Sequence, residues 1–168
     1  MQKTEQNIQG SWTVTCYDKD GNLKWEDSWG NLITDEGLNY SLGVALDGEA
    51  QISTWFIGLT DGDPTVAAGD TMDSHAGWTE VTEYEEANRP SWQNSEVENQ
   101  IISNEANPAS FVGTTNGITV GGAFLVSDDT KDGTTGTLFS VGAFEAGNKT
   151  LDEGDTLQVT SQYSNSSS

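Results

Sequence analysis

Asp128, Thr130 and Asp132, followed at once by Gly133, reproduce the opening of a calcium-binding loop. In such loops oxygen ligands alternate along the chain and a glycine allows the sharp turn. Position twelve, where the loop needs a bidentate glutamate, holds Phe139. Asp128 and Asp132 are therefore weak calcium candidates, and a solvated turn is the better reading. Asp61, Asp63 and Asp70 could add oxygens, and solvated turns are the better reading for them too.

His75 is the single histidine, with Asp70, Asp73 and Glu80 near it in sequence. One imidazole with two converging carboxylates can hold a metal, but no second layer of orienting partners is visible. A histidine that tethers residues 65–78 through hydrogen bonds is the simpler expectation. A Ser-His-Asp site would need His75 as its base, and no sharp strand-turn serine motif accompanies it. Cys16, the single cysteine, alternates with apolar residues and has no basic neighbour to lower its pKa, so it reads as a small buried side chain. Glu83, Glu85 and Glu86 could pair for glycoside cleavage, yet acids are so frequent here that they carry no signal. A phosphate-binding glycine loop is absent. The expectation is a protein with no catalytic residues, no cofactor and no metal.

The six tryptophans are Trp12, Trp25, Trp29, Trp55, Trp78 and Trp92. Such residues serve most often as anchors of a core or a subunit interface. A sugar-binding sandwich would instead expose two or three along one face. Trp25 and Trp29 lie on one side of their strand with Asp27 between them, which makes them the expected exposed pair. Arg89, the only arginine, can bridge carboxylates bidentately or stack on Trp78 or Trp92. Ile8, Trp12, Trp25, Trp29, Arg89 and Trp92 are the interface candidates.

Acids outnumber bases by 27 to 6, a formal net charge of −21 on 168 residues. Nucleic-acid phosphates and anionic headgroups repel such a surface, so no nucleic acid and no membrane is an expected partner. A cationic partner, bound divalent ions or a salty medium suits it. No run approaches the roughly 18 apolar residues of a membrane span, and the first ten residues lack the apolar centre of a secretory signal. Synthesis in a cytoplasm is expected.

The elements that must position these residues are mostly strands. Only 33% of residues are apolar, but aromatic area compensates, and one domain of ~150 residues can bury a real core. Residues 1–10 read as a flexible N-terminal arm, 11–163 as a single domain and 164–168 as a frayed tail. Ser11 to Ile33 reads as a hairpin turning at Asp20-Gly21. Thr34 can cap a helix whose inward face is Leu38, Leu42, Ala45 and Leu46, stopped by Gly48. Ile52 to Leu59 suits a strand covered on both faces. Residues 65–92 show no period, with Trp78, Val81 and Tyr84 as anchors. Four more strands follow, at Ala109 to Gly113, Ile118 to Ser127, Gly136 to Phe144 and Thr156 to Tyr163. The fold class is all-β: an antiparallel β-sandwich, immunoglobulin-like or jelly-roll in type, with one short helix.

Several blocks resemble a family of small tailed-bacteriophage virion proteins described as capsid decoration, cement or head-associated proteins. They are Val14-Thr-Cys-Tyr-Asp-Lys-Asp-Gly-Asn-Leu-Lys-Trp25, Asn31-Leu-Ile-Thr-Asp-Glu-Gly-Leu-Asn-Tyr40, Trp55-Phe-Ile-Gly-Leu59 and Ala67-Ala-Gly-Asp-Thr71. Ser74-His-Ala-Gly-Trp-Thr-Glu80 is the most specific of them, and Tyr84, Asn88-Arg-Pro90, Gly122-Ala-Phe124, Gly136-Thr-Leu-Phe139 and Gly154-Asp-Thr-Leu157 complete the series. The resemblance implies a non-enzymatic protein on the exterior of a virion capsid. Its implied partners are the major capsid protein and further copies of itself in a small oligomer such as a trimer. A tail or fibre module that binds host-surface glycans through exposed tryptophan is the alternative.

Overall fold

The computed structural model describes residues 6–167. β1 (Gln6–Tyr17) and β2 (Leu23–Ile33) form the long hairpin that the alternation of Trp12, Val14 and Cys16 predicts. Asp18 builds the turn: its carboxylate accepts the backbone N–H groups of Asp20 (2.9 Å) and Asn22 (2.8 Å), while Gly21 takes φ 84°. Those bonds, that from Asn22 first, hold the Asp18 carboxyl below the usual carboxylate range.

The helix α1 (Asp35–Leu46) follows directly. Thr34 caps it by accepting the Gly37 N–H at 3.0 Å, Asp35 and Glu36 occupy the positive first turn, and Gly48 leaves it at φ 74°. Its orientation reverses the expectation. Leu38, Leu42 and Leu46 are 41, 59 and 83% exposed, whereas Gly37 and Gly43 are the buried positions. The reason is distance: a Cβ on Gly37 would lie 2.3 Å from the Phe139 carbonyl oxygen, so the helix seats on the sheet where it has no side chain. Large leucines on that face would hold it away. Gly37→Val should therefore cost about 1–3 kcal/mol and reduce the helical circular-dichroism signal, because neither backbone can yield cheaply. A thermal melt followed at a helix-sensitive wavelength checks this.

The remaining strands are β3 (Phe56–Thr60), β4 (Glu80–Val81), β5 (Ile101–Ser103), β6 (Ala109–Val112), β7 (Ile118–Val120), β8 (Gly122–Val126), β9 (Leu138–Ala143), β10 (Lys149–Leu151) and β11 (Thr156–Ser167). All pairings are antiparallel, in the order β4-β3-β8-β9-β2-β1-β11-β5, with β6 also on β11 and a separate β10-β7 pair. β2 changes layers. It pairs with β1 from Leu23 to Asn31 and then with β9 through Leu32 and Ile33. The result is an all-β, sandwich-like body with one short helix.

Between the layers, Trp12 stacks on Trp29 at 6.2 Å, and the Tyr163 ring meets Trp12, Trp92 and Phe139 edge-on. β8 is buried on both sides. Ala123 and Leu125 face this core, while Phe124 and Val126 join Met72, Trp78, Leu138 and Val141 in a second cluster. The irregular stretch after β3 covers that second face with Met72 and Trp78, while Val81 and Tyr84, the other two expected anchors, are buried in the main core.

The ends differ from the expected arm and tail. Gln6–Gly10 pairs residue for residue with Tyr163–Ser167, so both are strand. Backbone hydrogen bonding between the two ends explains the order: neither segment has enough apolar residues to bury, but each supplies the other's ladder. Residues 1–5 and 168 lie outside the described residues.

Candidate docking surface

Four of the six interface candidates are interior. Trp12 is 1% and Trp29 5% exposed, and Arg89 and Trp92 are likewise buried. The three tryptophans are core residues of a single chain because both layers direct their aromatic side chains inward, and Arg89 is buried in its ion pair with Glu80. The expected exposed Trp25/Trp29 pair is not formed: Phe144 covers both rings, at 6.1 Å from Trp25 and 4.7 Å from Trp29. The half-buried Trp25 also spends its indole N–H on the Thr150 carbonyl, 2.9 Å away. A sugar platform loses its aromatic pair. Ile8, half-buried, remains at the surface.

Arg89 organises the acidic loop. Its guanidinium donates to both Glu80 carboxylate oxygens (Nε 2.8 Å, Nη2 2.7 Å), to the Asp128 carbonyl (2.8 Å) and to the Gly133 carbonyl (3.2 Å). It lies 5.3 Å above the Phe124 ring. The Asp128 carboxylate accepts from the Thr130 N–H and the Thr135 hydroxyl, both at 2.8 Å, which keeps it below the usual range, the Thr130 bond contributing most. Asp132 takes φ 55° and gives its N–H to Glu80. Asp128 and Asp132 thus serve the loop's own geometry, and no cluster of three metal-ligating side chains occurs among the described residues.

His75 behaves as a tether. Its Nδ1 lies 2.9 Å from the Trp78 carbonyl, and its ring stacks on the Trp78 indole at 3.8 Å. Asp70 completes the loop by accepting both the Ala67 N–H and the Trp78 indole N–H. Cys16 is fully buried, and burial, with Asp155 nearby, pushes its thiol up to about 12. At pH 8 its alkylation should be about a thousandfold slower than that of an exposed thiol with ordinary pKa, and unfolding in urea should restore the rate. The stability contributed by the neutral thiol is complete below the ordinary thiol pKa and is lost as pH rises toward 12.

Charge is distributed unevenly. Lys24 is paired with Asp155 and Asp152; its hydrogen bond to Asp155 first, then that to Asp152, raises its pKa. Lys131 lies 3.7 Å from the Tyr84 ring centroid and donates to the Tyr84 carbonyl. Three of the scarce cations are thus spent internally. α1 carries no basic residue, and the exposed Asp35 and Asp47 stand at the two ends of its leucine row. Sequence periodicity finds the leucine ridge; only the seating of Gly37 turns it outward.

No protein-family model matches the chain, and no curated protein or solved structure matches it either. No described helix is long and apolar enough to cross a membrane.

Proposed function

We propose that this chain is a structural protein of a tailed-phage virion that attaches to the outside of the head and reinforces it. The observation that carries the reading is the α1 ridge. Leu38, Leu42 and Leu46 stand exposed in one row, bordered by acids, on a body of net charge −21. A row of exposed leucines that its own fold does not use is a docking feature. Its acidic border suits a shell region with an apolar hollow and a basic rim, presented by the major capsid protein. The sequence blocks that resemble head-associated proteins support the same placement.

Packaged DNA would repel so acidic a protein from the lumen, which favours the exterior. Binding to the assembled lattice, and not to free subunits, reinforces the shell by mass action. Contacts of about 1,000 Å² or more would suffice.

The test adds purified protein to expanded heads that lack it. Co-sedimentation and a higher melting temperature of the particle are expected. The pair Leu42→Glu and Leu46→Glu should weaken attachment about tenfold or more without lowering the free protein's own melting temperature. Absence of the chain from purified virions, or heads indifferent to it, would overturn the reading.

A further inference from the structure

We infer that the open edge of β1, at Asn7–Gln9, is a self-association site at which two copies pair antiparallel about a two-fold axis. The register creates that edge. β11 covers one side of β1 along its whole length, but β2 pairs only from Gly10, opposite Asn31, before turning into the other layer. Among the described residues Gln6–Gln9 therefore has no strand on its second side. A groove of about 460 Å³ opens at the fork, lined by Ile8, Gly10, Gly30, Leu32, Ile33 and Leu38.

An open edge is a template for pairing, and folded proteins normally blunt it with charge, proline, a bulge or extreme shortness. The end strands of this sheet are blunted, and the second side of β2 from Leu23 to Gly30, which no strand pairs among the described residues, carries Lys24, Glu26 and Asp27 along its length. β4 has two residues, one of them Glu80, and β5 has three, with Ser95 donating to its Ser103 carbonyl and Glu96 and Glu98 beside it. The Gln6–Gln9 edge has none of these devices: it is Gln-Asn-Ile-Gln, and the bulge in β1 lies at the far end, between Cys16 and Tyr17.

Electrostatics selects the occupant. In a chain that is 20% charged, the two twelve-residue strands β1 and β11 contain no charged residue at all. Two bodies of −21 repel wherever acids meet acids, so a second copy approaches at low electrostatic cost along this uncharged ribbon. A cationic partner would gain nothing from it. An axis through Ile8 sets that side chain opposite its counterpart and places Asn7 opposite Gln9, so main-chain bonds form without like charges facing each other. Leu38 and Leu32 border the groove that the pair would close.

Sedimentation equilibrium of the full chain over a range of concentration and salt is the test. Average mass should rise toward double with concentration. Association should tighten several-fold as sodium chloride goes from ~20 mM to ~0.5 M, because salt screens the repulsion and leaves the neutral contact intact. Ile8→Glu and Ile8→Lys should each leave a folded monomer, as judged by circular dichroism, and a mixture of the two should recover dimer. Amide exchange at Asn7–Gln9 should slow as the dimer forms. A chain that stays monomeric under all conditions overturns the inference, as do a dimer that Ile8→Glu leaves intact and an association that salt weakens. The outcome is separable from head attachment: a monomer that still binds heads sinks only the dimer, and a dimer that ignores heads sinks only the head reading.

Discussion

Arg89→Ala should destabilise the fold by about 3–5 kcal/mol, the largest effect expected of any single polar substitution here. The arginine and its partner Glu80 are both buried, with side-chain exposures of 0 and 3%. Removing the guanidinium strands the Glu80 carboxylate and leaves the Asp128 and Gly133 carbonyls without that donor. Arg89→Lys should lose most of the same energy, since an ammonium cannot span two carboxylate oxygens and two carbonyls from one plane. Replacing both partners by apolar residues, Arg89→Met with Glu80→Leu, should recover much of it, because no charge is then left unpaired. Urea titration reads all three variants. A loss below about 1 kcal/mol for Arg89→Ala would show that water reaches the site and solvates Glu80.

Trp12→Ala should cost a similar ~3–5 kcal/mol, and the cost should fall on the folded single chain, not on assembly. Trp12 is stacked on Trp29 and touches the Tyr163 ring edge-on, so its removal opens a cavity at the centre of the sandwich. Were it an interface anchor, dilution would reveal the loss; as a core anchor, the urea midpoint should fall equally at every protein concentration. Trp12 shares none of the partners just named for Arg89, so the double variant should show the sum of the two losses within about 0.5 kcal/mol. A larger coupling would mean that the two sites perturb a shared set of contacts across β8.

Local chemistry explains which elements were legible in the sequence. Trp12, Val14 and Cys16 alternate because one face of β1 is buried, and the Asp18–Asn22 turn has its own side-chain bonds, so the hairpin needs little from elsewhere. Thr34 and Gly48 mark the helix ends for the same reason. Residues 65–78 have no period because their order is made of single contacts, His75 on Trp78 and Asp70 on the Trp78 indole, which repeat nowhere. Their anchors could be named while their path could not. The side chosen by the helix was illegible for a different reason. An amphipathic pattern says which residues share a face, but the close approach of Gly37 to the Phe139 carbonyl decided that the glycine side goes inward.

The docking surface divides in the same way. Residue counts alone determined the net charge of −21, and with it the poor fit to nucleic acid and the repulsion between copies. Composition and alternation also determined an antiparallel all-β body with one helix. Long-range pairing decided the rest. Arg89 became the clamp of the acidic loop because β4 delivers Glu80 to it, and Trp29 became core because Phe144 folds over it. The Gln6–Gln9 edge is open only because β2 leaves β1 at Gly10 to join β9. Charge is a sum over residues and can be read without a fold, whereas exposure is a property of neighbours, and here those neighbours come from distant parts of the chain.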